Sequence, residues 1–164
     1  MKKILIMGLP GSGKTTLAKT LAPMLKAVHF NADDIRREIN QHLGFSIGDR
    51  IEQARKMGWL CDQVIKAGHF VIADFICPTE ETRKAFGDAF VVWVDRIKCG
   101  RFEDTNKVFI PPKNYAIRVF GDEDALTWAE RIRDIIIDSD ESNMCCRKKG
   151  GLMHLPRYSR KELT

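Results

Sequence analysis

With 164 residues, 44% of them hydrophobic, the chain has enough apolar side chains for one domain with a proper core and too few residues for two. It holds no apolar run near the roughly 18 residues of a membrane span, its start MKKILIMG is too short for a signal peptide, and its five cysteines lack paired or zinc-type spacing. A cytoplasmic protein with no membrane partner, disulfide or structural metal is expected, and its net charge of +5 gathers at one end, where Arg147 to Lys161 (RKKGGLMHLPRYSRK) carries six basic residues and no acidic one.

The first element is Ile4-Leu5-Ile6-Met7, a short apolar run that reads as a buried parallel strand. Directly behind it comes MGLPGSGKTTLAKTLAP, in which Gly8, Gly13, Lys14 and Thr15 match G-x-x-x-x-G-K-[ST]. Leu17, Leu21 and Leu25 then keep helical spacing. Strand, glycine loop and helix together make a phosphate-binding unit, because the loop's N–H groups and the helix N-terminus both present positive charge to an anion. The predicted ATP loop comprises Gly8, Leu9, Pro10, Gly11, Ser12, Gly13, Lys14, Thr15 and Thr16. Lys14, expected to be exposed there, would reach the β and γ phosphates, and the Thr15 hydroxyl would ligate Mg²⁺.

Further along, KAVHFN (26–31) reads as a second strand and ADDIRREINQHLG (32–44) as a helix with Ile35, Ile39 and Leu43 on its apolar side and Gly44 as its stop. A longer helix is predicted over 49–68, capped by Asp49, with Ile51, Ala54, Met57 or Gly58, Cys61 and Val64 or Ile65 buried and Gly68 at its end. HFVIADF (69–75) is continuously apolar and reads as a central strand, ETRKAFGD (81–88) as a short helix, AFVVWVD (89–95) as a fourth strand and DALTWAERIRDIII (124–137) as a final amphipathic helix. Between them, 96–120 is irregular and proline-containing, as expected of a lid over the nucleotide edge. The alternation predicts a doubly wound α/β fold of three layers, with a domain over 1–140 and a basic tail over 141–164. Ligands of such sheets collect at the carboxyl ends of the strands, where Asp33, Asp74 and Asp95 fall.

Each polar candidate has a functional and a plain reading. Asp33 could orient an acceptor hydroxyl, take its proton or hold Mg²⁺ through water, or it could cap a helix. Arg36 and Arg50 suit pairing with an anionic substrate, with Phe45 stacking on a base; otherwise they are solvated charges and a core ring. Asp74, at the end of an apolar strand, suits a metal-water ligand or a salt-bridge partner.

NADDIRREINQHLGFSIGDRIEQARKMG resembles the diagnostic segment of adenylylsulfate kinases, a P-loop family whose pattern runs D-G-D-N-x-R, then L-G-F-S, D-R and E-N-x-R-R. Asp33, Arg36, Leu43, Gly44, Phe45, Ser46, Asp49, Arg50, Glu52 and Arg55 match it, and DFICP is similar to the family's A-F-I-S-P at Phe75, Ile76 and Pro78. The resemblance covers about residues 1 to 95 and implies a P-loop kinase fold with ATP and Mg²⁺ as cofactors. It also implies transfer of the γ-phosphoryl group to the ribose 3′-hydroxyl of adenylylsulfate, a small anionic nucleotide. Lys14 and Asp33 would be catalytic, Thr15 and Asp33 would serve the metal beside Asp74, whose metal reading comes from its own place at the strand end, and Arg36, Phe45, Arg50, Gln53, Phe75 and Ile76 would line the substrate. The chain departs from the pattern at Asn31 (aspartate in the pattern), Ala32 (glycine), Gln53 (asparagine) and Asp74 (alanine). The family's arginine-bearing lid is missing or shortened, and GRFEDTNKVFIPP replaces its K-G-F-T-G-I-D segment; Arg101, Phe102 and Lys107 could do similar work. Two alternatives stay open at this point. One is a kinase of a hydroxyl on a modified nucleotide or on a base such as 5-hydroxymethyluracil within nucleic acid, contacted by the basic tail. The other is a nucleotide-binding switch without catalysis.

Overall fold

Five parallel strands lie in the order β2-β3-β1-β4-β5 in the computed structural model, which describes the backbone of residues 1–147 and the side chains of residues 1–140. In chain order the elements are β1 (Lys3–Met7), α1 (Lys14–Leu25), β2 (Val28–Asn31), α2 (Ala32–Glu38), α3 (Ile47–Lys66), β3 (Val71–Phe75), α4 (Glu80–Phe86), β4 (Phe90–Val94), α5 (Glu103–Val108), β5 (Ile117–Val119) and α6 (Ala125–Arg147). The predicted basic run beyond Arg147 lies outside the described residues. Among those described, no helix is long and apolar enough to cross a membrane.

β1 is buried along its whole length because it sits at the middle of the sheet, between β3 and β4. The third strand is interior, as its apolar run implied, but the central place belongs to β1. Side chains alternate along each strand, so the sheet divides the core in two. Ile4, Ile6, Ile72, Val92 and Val94 pack with Leu17, Leu21, Ile132 and Ile136. Leu5, Met7, Val71 and Ala73 pack with Ala54, Met57, Cys61 and Phe86 on the other face. This three-layer stack sets the carboxyl ends of β1, β2 and β3 side by side at one edge.

Gly58 sits where α3 meets α4: a Cβ there would lie 2.3 Å from the Phe86 carbonyl oxygen. Helix propensity favours alanine over glycine by about 1 kcal/mol, but the methyl group would drive two backbones apart. The clash wins. Gly58→Ala is expected to lower stability by about 1–3 kcal/mol in urea unfolding.

Four elements differ from the pattern read in the sequence. α6 continues as helix to Arg147, past the end read at 137 and through the boundary read between a domain over 1–140 and a tail over 141–164, because nothing in 138–147 breaks a helix: the stretch has neither glycine nor proline. α2 stops at Glu38 instead of running to Gly44, leaving Ile39 59% exposed. The chain turns there because Asn40 goes inward to donate its amide to Gln53 Oε1 at 2.9 Å, while Arg36 gathers the Leu43 carbonyl at 3.0 Å. α3 begins at Ile47 and is capped by Ser46, whose Oγ accepts the Asp49 N–H at 3.2 Å, so Asp49 stands in the first turn and is not the cap. The stretch 96–120 contains α5 and β5, and β5 adds a fifth parallel strand to β4 with Trp93 opposite Arg118. Three residues are too few to show alternation.

Candidate active site

The loop between β1 and α1 puts Gly11 and Gly13 at φ 89° and 96°, left-handed conformations that glycine adopts without steric cost. Gly13 caps α1 with no side-chain hydrogen bond, so the first amides of the helix remain open to a ligand. The Ser12 hydroxyl is buried with no partner among the described residues. Lys14 corrects an expectation: it is 8% exposed, and its Nζ donates to the Leu9 carbonyl at 2.9 Å. Burial pushes its ammonium below the usual lysine range, opposed by the charges of Asp74 and Asp33. An unpaired hydroxyl, open amides and a buried cation resting on one neutral carbonyl together ask for an anion.

Thr15, Asn31, His29 and Asp74 meet beside this loop. Asp74 is 2% exposed. Its Oδ1 accepts from Thr15 Oγ1 at 3.2 Å and from Asn31 Nδ2 at 2.7 Å, and its Oδ2 accepts from His29 Nε2 at 2.6 Å. Asn31 also caps α2, its Oδ1 accepting the amides of Asp33 at 3.0 Å and Asp34 at 3.1 Å. Asp33 therefore does not cap the helix. It stands exposed in the first turn of α2, close enough to Lys14 for its charge to oppose the downward push of burial on that lysine.

The donors present suit a magnesium nucleotide. Mg²⁺ prefers oxygen ligands, keeps several waters and is held by one or two protein oxygens together with substrate phosphates. Thr15 and Asp74 supply a hydroxyl and a carboxylate at the right place.

In the segment between α2 and α3, Phe45 is 66% exposed, with Arg36 Cζ 4.7 Å and Arg50 Cζ 5.7 Å from its ring centre. Arg36 donates to the Leu43 and Gly44 carbonyls, and burial, then the neighbouring Arg50, push its guanidinium below the usual range. Arg50 donates to the Phe45 carbonyl at 2.9 Å, to Asp104 Oδ2 at 3.2 Å and to Thr105 Oγ1 at 3.4 Å, which ties α5 to α3.

The remaining sequence candidates divide. Phe75 and Ile76 are half-buried at the end of β3, and the Phe75 ring packs on Phe86, 5.4 Å between centres. Gln53 is fully committed inside: its amide donates to the Ala32 carbonyl at 3.1 Å and accepts from Asn40, so it braces α2 against α3 from behind and offers a substrate nothing. Lys107 pairs with Glu103 at 2.8 Å on α5, and Phe102 is exposed beside it. Arg101 lies along the phosphate loop, its Nε 3.5 Å from where a Gly11 Cβ would be. Sequence reasoning missed two neighbours of the site. Arg96 lies against Gly13, 3.7 Å from where a Cβ would be, and directly follows the strand-end Asp95. His29 is two residues before Asn31 and so shares its face of β2, a signal readable once β2 is paired with β3.

A phosphate loop after the central strand, with a threonine and a carboxylate beside it, marks an α/β fold of the P-loop nucleotide-binding kind, and its relatives are kinases, ATP-dependent phosphotransferases. Residues 2–95 match the family model described as Adenylylsulphate kinase, and the chain belongs to that family. A probable adenylyl-sulfate kinase of Bacillus subtilis (strain 168) is 30% identical over 152 residues, covering 84% of this chain and 75% of that protein. The adenylyl-sulfate kinase of Gloeothece citriformis is 34% identical over 101 residues, 56% of this chain and 57% of that protein, so here the chain spans little more than half the relative's length. An APS kinase of Mycobacterium tuberculosis, solved in complex with AMPPNP and APS, superposes with a TM-score of 0.73 at 23% identity, over 82% of this chain and 96% of that one. The family match ends at the close of β4, and α5, β5 and α6 lie beyond it.

Proposed function

We propose that this protein transfers the γ-phosphoryl group of Mg²⁺-ATP to a hydroxyl of a small anionic nucleotide, the 3′-hydroxyl of adenylylsulfate. The single observation that carries the acceptor is the exposed Phe45 ring flanked by the Arg36 and Arg50 guanidiniums. An aromatic face takes a base and guanidiniums take an anionic group, and the family relationship supplies a nucleotide that has both. The loop amides and Lys14 grip the triphosphate, and Lys14 exchanges its bond to Leu9 for phosphate oxygens. Thr15 and Asp74 would hold Mg²⁺, which when bound neutralises charge on the β and γ phosphates. Asp33 accepts the proton of the acceptor hydroxyl as that oxygen bonds to the γ-phosphorus; the bond to the β–γ bridging oxygen breaks and ADP departs. Arg101 and Arg96, lying along the loop, face the charge that develops there.

Incubation with γ-labelled ATP and adenylylsulfate is expected to give labelled 3′-phosphoadenylylsulfate. Turnover should fall only gently between about 50 and 200 mM salt, because a small anion held in a cleft releases few counterions. Removal of residues 148–164 should hardly change it. Labelling of a DNA or RNA hydroxyl, with none of adenylylsulfate, would overturn the acceptor assignment and leave the donor chemistry standing.

A further inference from the structure

The metal side of the site contains two residues that neither the phosphate loop nor the acceptor group uses. His29 and Asn31 alternate along β2 and so face the same side of the sheet. β2 runs parallel to β3, with Asn31 opposite Asp74 and His29 opposite Ile72, one step back on the same face. Asp74 thus has one neighbour level with it and another diagonal to it, and both donate to it: Asn31 to Oδ1 at 2.7 Å and His29 to Oδ2 at 2.6 Å. With donors on both oxygens the carboxylate is held against turning about its last bond. The oxygen shared with Asn31 is also the one that meets the Thr15 hydroxyl.

We infer that His29 and Asn31 are positioning residues for Asp74, holding Oδ2 on the imidazole and Oδ1 beside Thr15, the pair that would hold Mg²⁺, an inference that rests on the nucleotide reading proposed above. Partners of this outer kind orient metal ligands and set metal affinity. The chain's departures from its family pattern fall on the same pair of positions, for the pattern has aspartate where Asn31 stands and alanine where Asp74 stands. In this chain the carboxylate of the pair stands on β3, opposite Asn31 in register and 2.7 Å from its amide nitrogen. The amide at 31 suits that neighbour. Its oxygen caps α2 as an aspartate's would, and its N–H₂ donates to Asp74, where a second carboxylate would repel it.

The test measures affinity for the non-hydrolysable analogue AMPPNP with and without Mg²⁺, so that the gain given by the metal is read apart from catalysis. His29→Ala should cut that gain by about tenfold while the metal-free affinity stays within about twofold, and His29→Gln, which keeps an N–H donor, should recover part of it. Asn31→Asp alone should lose the gain, whereas Asn31→Asp combined with Asp74→Asn should restore it to within about threefold. The exchange pair decides the matter if His29→Ala does not fold. An unchanged gain in folded His29→Ala, or an equal fall with and without Mg²⁺, would overturn the inference while leaving nucleotide binding intact. A wild-type protein that binds AMPPNP with no gain from Mg²⁺ would sink the nucleotide reading and this inference together.

Discussion

Lys14→Ala should cut phosphoryl transfer by about a thousandfold or more while the protein stays folded. The lysine is buried against the loop it serves, and among the described residues its ammonium donates to the Leu9 carbonyl at 2.9 Å, with the charges of Asp74 and Asp33 near by. Charge so placed is costly, as the downward shift from burial shows, and it is compensated when phosphate oxygens arrive. Truncation removes both the charge and its cost. The thermal unfolding midpoint should therefore hold or rise slightly even as turnover disappears, which separates the loss from misfolding. Near-native turnover in this variant would refute the phosphate-loop assignment.

Asp33→Asn should lower turnover by about a hundredfold with little change in ATP affinity. The carboxylate is exposed at the strand ends and does not cap α2, since Asn31 Oδ1 takes the amides of Asp33 and Asp34. The substitution spares that cap, so a stability loss is not expected. Equal falls in turnover and in ATP affinity would place Asp33 on the donor side and remove it from the acceptor's proton.

The order of strands and helices up to β4 was legible because each element carries a strong local signal: continuous apolar strands, helices with a clear buried stripe, a glycine loop between the first pair. Tertiary bonds blurred the boundaries. α2 ends early through Asn40 and Gln53, two polar side chains that find each other in the interior across 13 positions, which no local periodicity records. β5 is three residues long, and α5 only six, so neither shows a period. In the site, the glycine loop, Thr15 and Asp74 could be named from residue type and place alone. The burial of Lys14 and the bonding of Gln53 could not, because both depend on which carbonyl lies within reach after folding. His29 has an ordinary place in an ordinary strand, and only the pairing of β2 with β3 gives it a carboxylate.

The bond between Arg50 and Asp104 has a consequence for ligand competition. Asp104 is 69% exposed at its side chain and sits on a guanidinium only 11% exposed. Because α5 is part of the same chain, that carboxylate competes for Arg50 as a tethered ligand does, at an effective concentration on the order of millimolar that no dilution lowers. An acceptor that used Arg50 as proposed would exchange with this occupant, and only the difference between the two anions would count toward its affinity. The exposed pair is weak in itself, so on that proposal the competition would be a modest bias toward ligands that also engage Arg36 and the ring of Phe45.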